Sequence, residues 1–124
     1  MKKIAFFCSF IGIFLFWDMV LRCTAAFSYS AARKVINRKD WAITAILIAV
    51  ARVYMGIRVR RRIAMPEDLP PVFLIVSNHQ SIIDIAFLYY YFRDYKIRFA
   101  AKHDLAQGVP LVSMVLRLQD HAMI

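Results

Sequence analysis

The sequence predicts an α/β protein attached to a membrane: an N-terminal transmembrane helix and a second membrane-associated helix, followed by an incomplete α/β core. Three observations lead there. Apolar residues make up 61% of the 124 and Phe, Trp and Tyr 15%, above the roughly 45–50% apolar content of ordinary soluble domains. The net charge of +9 is unevenly placed, because ten Lys or Arg between Arg22 and Arg62 stand against the single acid Asp40. From Ile57 onward, short β-branched runs punctuated by Pro alternate with apolar helical stretches, the pattern of an α/β core.

Ile4 to Leu21 is an apolar run broken only by Asp18. As a helix it spans about 27 Å, enough to cross a hydrocarbon core. A cleaved signal peptide is the alternative, with Lys2 and Lys3 as its charged start and Cys23-Thr24-Ala25 as a poor cleavage site. Arg22 directly after the run and a second apolar helix further on favour a retained anchor. Arg22, Arg33, Lys34, Arg38 and Lys39 outnumber Lys2 and Lys3, so the positive-inside rule puts the C-terminal part in the cytoplasm. The basic zone flanks apolar helices and fits anionic headgroups; a recognition helix or stacking platform for nucleic acid is not found, and no nucleic-acid partner is expected. Cys8 and Cys23 read as small apolar side chains.

Trp41 to Gly56 is apolar except for Thr44 and Arg52, with aromatic residues near both ends. Its length suits a helix lying in one leaflet, or else a buried helix of the core. Ile57 to Ile63 alternates apolar residues with Arg58, Arg60 and Arg62, a half-exposed strand, and Pro66, Pro70 and Pro71 mark a turn. Val72 to Val76 reads as a buried strand, Ser81 to Phe92 as a helix apolar on nearly every face, Lys96 to Ala101 as a strand, Leu111 to Leu118 as a helix, and Ala122 to Ile124 as the start of another strand. The chain thus divides into 1–56, membrane-anchoring helices with a basic linker, and 57–124, the start of the core.

The chemistry-bearing segment is Asn78-His79-Gln80-Ser81-Ile82-Ile83-Asp84, where a strand passes into a helix. On a regular helix residues five apart diverge by about 140°. His79 and Asp84 meet only if His79 precedes the first turn and folds back over it. A carboxylate so placed accepts a hydrogen bond from one imidazole nitrogen and leaves the other free to take a proton from an alcohol. Equally, His79 could cap the helix and Asp84 could bond a loop or Arg93. His79, His103 and His121 lack tight ligand spacing and Cys partners, so no metal site is expected.

Asn78-His79-xxxx-Asp84 resembles the signature block of the glycerolipid acyltransferases related to 1-acyl-sn-glycerol-3-phosphate acyltransferase. Phe99-Ala100-Ala101-Lys102-His103-Asp104-Leu105 followed by Gly108-Val109-Pro110 is similar to that family's second region, and Val115-Leu116-Arg117 and His121-Ala122-Met123-Ile124 continue the similarity. The resemblance covers about residues 50–124. It implies transfer of a fatty acyl group from acyl-CoA or acyl carrier protein to a hydroxyl of 1-acylglycerol-3-phosphate or a related lysophospholipid, with no resident cofactor. It implies His79 as general base, Asp84 as its orienting partner, Asn78 within the substrate-binding block, and direct transfer without a Ser nucleophile. The family's Glu-Gly-Thr-Arg block, whose Arg is thought to hold the acceptor phosphate, has no match here. Lys102 is the remaining phosphate candidate, against a plain solvated Lys at a strand end. These residues are therefore expected to be the N-terminal part of such an enzyme, inactive alone. The alternative is a noncatalytic membrane protein that keeps the block for structure only.

Overall fold

The computed structural model describes residues 1–58, 60, 68–78 and 82–124. Two long helices dominate it. Helix α1 covers Lys2–Phe27 and α2 covers Tyr29–Met55. Ser28 separates them: its backbone is extended, its hydroxyl oxygen accepts from the Ala31 amide at 3.3 Å, and its own N–H closes α1 on the Thr24 carbonyl. A side-chain oxygen at this position satisfies an amide that no earlier carbonyl can reach. Gly56, at φ +65, ends α2 in the left-handed conformation that glycine adopts most readily.

Helix α1 alone, among the described residues, is long and apolar enough to cross a membrane. One side of it, including Ile4, Phe7, Ile11, Leu15 and Phe16, is exposed, as suits lipid. Another carries Phe6, Phe10 and Phe14, whose rings contact at successive turns with Phe10 and Phe14 stacked at 4.7 Å. Alkaline carbonate extraction is expected to leave the full-length chain in the membrane pellet. Its release into the supernatant would count against a spanning α1.

The second helix is longer than the sequence predicted. It begins at Tyr29 rather than Trp41, so the basic stretch Arg33 to Lys39, read as linker, is helical. Lys and Arg are good helix formers, and one face of the stretch is apolar: Ala32 and Ile36 continue into Ile43, Leu47, Ile48 and Ala51, all buried.

Helix α3 covers Ile82–Tyr91 and packs on α2. Strand β1, Ala100–Ala101, pairs in parallel with β2, Ala122–Met123, in the register Ala100 to Ala122 and Ala101 to Met123. The crossover between them holds a 3₁₀ turn at His103–Ala106 and helix α4, Val112–Leu118. The core forms where α4 enters the angle between α1 and α2, with Leu21, Ala32, Ile36, Ile43, Leu47, Leu111, Met114 and Leu118 in one buried cluster. Asp18, the acid inside the apolar run, sits at this junction. One carboxylate oxygen accepts from the Leu111 amide at 2.8 Å and the other from Arg22 Nε at 2.7 Å. The carboxylate is thus satisfied by the start of α4 rather than left to lipid.

The fold is accordingly mostly helical, with one small two-stranded sheet among the described residues. Residues 72–76 do not form the expected buried strand: Val72, Leu74 and Val76 are 87%, 88% and 87% exposed and pair with nothing in the sheet. A strand needs a neighbour to take its amides and carbonyls, and among the described residues none lies beside it. The expected strand Lys96 to Ala101 is reduced to its last two residues. Most of the Ile57 to Ile63 strand and Pro66 of the turn fall outside the described residues.

Candidate functional site

Of the residues singled out by the sequence, Asp84 alone lies within a described helix or strand. Asn78 is exposed in irregular backbone, His79 lies outside the described residues, and Asp84 sits half-buried in the first turn of α3. Lys102 is exposed, directly after β1 and before the 3₁₀ turn. The approach of His79 to Asp84 therefore stays an expectation of the sequence. Among the described residues no cluster of three His, Cys, Asp or Glu could hold a metal.

The best-organised polar chemistry in the described residues lies at the other end of α3, and sequence reasoning missed it. Tyr89, Gln119 and His121 are 8%, 6% and 6% exposed. The Tyr89 hydroxyl donates to Gln119 Oε1 at 2.7 Å. His121 Nδ1 accepts the Phe99 amide at 2.8 Å. In a neutral ring that leaves the proton on Nε2, which faces the Tyr89 oxygen at 3.0 Å and Gln119 Oε1 at 3.2 Å. The Gln119 amide donates onward to Asp40 Oδ2 at 3.2 Å and Asn37 Oδ1 at 3.4 Å on α2. The chain of bonds thus runs from α2 through the end of α4 to α3 and the start of β1. The available signal was the Tyr run 89–91 closing a largely apolar helix, since a Tyr hydroxyl needs a partner once buried.

Burial sets the ionisation of this network. Desolvation, reinforced by Arg98 and opposed by Asp120, lowers the His121 pKa to about 4. Desolvation, and then the charge of Asp40, raises that of Tyr89, so the phenol keeps its proton. Desolvation also raises that of Asp40, against the Trp41 amide and Gln119. Protonating His121 would put an N–H on Nδ1 against the Phe99 N–H, so the fold holds the ring neutral. The free chain binds that proton near pH 6.5 and the folded chain near 4. The stabilisation from a neutral His121 is therefore complete above about pH 6.5 and is lost as pH falls toward 4. It is worth about 1–2 kcal/mol after allowing for partial solvent screening. Asp40 acts in the opposite sense at the acid end. Chemical denaturation in detergent at pH 7 and pH 5 is expected to show this loss, and His121→Asn is expected to flatten it; an unchanged pH dependence in that variant would contradict the assignment.

A family model described as Acyltransferase matches residues 56–124. The chain belongs to the acyltransferase family. Comparison with curated proteins and with solved structures gives no match. The acyltransferase segment contains Asn78, His79, Asp84 and Lys102, together with Tyr89, Gln119 and His121 of the buried network. Helices α1 and α2 lie outside it, α2 ending at Met55 just before the segment begins, yet α4 of the segment shares its core with both. Asp120, to which the sequence assigned no role, has φ +54 and forms an ion pair with Arg33 of α2, a further tie between the segment and the long helices.

Proposed function

We propose that this acyltransferase moves a fatty acyl group from acyl-CoA or acyl carrier protein onto a free hydroxyl of 1-acylglycerol-3-phosphate or a related lysophospholipid, in the synthesis of membrane phospholipid. The observation that carries the reading is the family match over the segment that holds the Asn78-His79-xxxx-Asp84 block. In this reaction His79 takes the proton from the acceptor hydroxyl as its oxygen attacks the thioester carbonyl. Asp84 orients the imidazole and stabilises its positive charge. The thiolate leaves and takes up the proton. Asn78 and Lys102 bind substrate, with Lys102 contributing its charge to the acceptor phosphate. Helix α1 and the apolar half of α2 hold the segment at the cytoplasmic face of the bilayer, where lysophospholipid is presented in the membrane plane. In this scheme residues 1–56 serve attachment and 57–124 catalysis.

The test is an acyl-transfer assay in lipid nanodiscs with labelled acyl-CoA or acyl carrier protein. It is run on the 124 residues and on the same residues joined to a segment carrying a Glu-Gly-Thr-Arg block. The expected product is diacylglycerol phosphate, formed in preference to acylation of an acceptor that lacks the phosphate. Failure of both forms to acylate any lysophospholipid would overturn the proposal and favour a noncatalytic membrane protein.

A further inference from the structure

Two of the residues given roles above are placed by different elements: Asp84 lies in the first turn of α3, and Lys102 directly follows β1. Only side-chain contacts can fix such elements against each other, and a misplacement of about 1 Å can cost about a hundredfold in rate. The contacts that connect them are specific. Tyr89 lies five residues beyond Asp84 on α3, with its ring 5.2 Å from that of Phe99. Its hydroxyl meets His121, whose other nitrogen holds the Phe99 amide. The carbonyl of Phe99 accepts from the Ala122 amide at 2.9 Å, so both backbone polar groups of this residue, immediately before β1, are held by consecutive residues of the returning chain.

We propose that Tyr89 and His121 are a positioning pair that fixes α3, with Asp84, against β1, with Lys102 beyond its end. Its consequence for turnover rests on the acyl-transfer reading above. The pair is suited to the task because each group is committed on both sides. The Tyr89 proton goes to Gln119 and its lone pair receives His121 Nε2–H; His121 Nδ1 is occupied by a backbone amide. Rotating either ring breaks two bonds in a buried site, which makes the relation between the two elements stiff. A single imidazole spans the distance from backbone to phenol. An Asn in its place can accept the Phe99 amide but is too short to reach Tyr89, whereas Tyr89→Phe keeps the ring contact and removes the hydroxyl alone.

Those two substitutions therefore cut the same link from opposite ends without opening the core. Nitroxide labels at Arg93→Cys, in the turn that follows α3, and Asp104→Cys, in the 3₁₀ turn that follows β1, both exposed positions, report the distance between the ends of the two elements in a Cys8→Ser, Cys23→Ser background. Tyr89→Phe and His121→Asn are each expected to broaden the distance distribution. The double variant should broaden it no further, because one link has been removed twice. In the form that turns over, each should lower kcat about tenfold with the acyl-donor KM within about twofold, the signature of lost alignment rather than lost binding. Wild-type distributions in both single variants, or effects that add in the double variant, would overturn the pair. The distance measurement decides this whether or not acyl transfer is detected; absence of transfer in the unsubstituted protein would count against the proposed reaction alone.

Discussion

Replacing His79 by alanine is expected to lower acyl transfer about a hundred- to ten-thousandfold, the usual range for removal of a general base. Without the imidazole the acceptor hydroxyl must lose its proton to water as it attacks, and the barrier rises accordingly. The donor KM should change little, since the role proposed for the imidazole is to take the acceptor's proton rather than to bind the thioester. Asp84→Asn is expected to be nearly as severe. The amide can orient the ring with the wrong tautomer and gives no compensation for the imidazolium. Near-normal rates in a folded His79→Ala variant, measured with the Glu-Gly-Thr-Arg segment joined, would remove the base from the mechanism.

Leu118→Ala should have the largest effect on stability. Leu118 is fully buried at the end of α4, in the cluster shared with Leu21 of α1 and with Ile36 and Ile43 of α2. Truncating such a leucine removes its transfer free energy and leaves a cavity, together about 2–5 kcal/mol. Gln119 and Asp120 follow it directly, so the bonds to Asp40 and Arg33 should loosen with it. Denaturant unfolding in detergent micelles, followed by near-ultraviolet circular dichroism, reads the loss. A change below about 0.5 kcal/mol, the range of an ordinary surface substitution, would mean that the acyltransferase segment does not share a core with the long helices.

The parts of the fold that the sequence revealed are those with a local cause. The apolar run Ile4 to Leu21 gave α1, Ser81 to Phe92 gave α3 to within a residue or so at its C-terminal end, and Pro110 marked the approach to α4. The two residues of β2 also fell where expected. Misreadings arose where the cause lies elsewhere in the chain. Tyr29 to Asp40 looked like a basic linker because its apolar face is narrow, and that face is buried only once α1 and α4 cover it. Val72 to Val76 has the composition of a strand, but composition does not supply a pairing partner.

The candidate site was legible to a different degree. Asp84 was singled out by spacing and resemblance and Lys102 as the remaining phosphate candidate; Asp84 lies in the first turn of α3 and Lys102 directly after β1, and their roles are proposals. Tyr89, Gln119 and His121 carry no spacing signature, because their meeting depends on the crossover that returns β2 to β1. Residues 32 and 30 positions apart come together there through tertiary packing alone.

The pairing of His79 with Asp84 is the central claim, and it can be observed without turnover. With the His79 ring labelled with nitrogen-15, the protein in nanodiscs should show one ring N–H held in a hydrogen bond to a carboxylate. Asp84→Asn should shift that nitrogen and its proton while leaving the His103 and His121 signals in place. A His79 spectrum that is the same in the two proteins would contradict the pair, and with it the proposed mechanism.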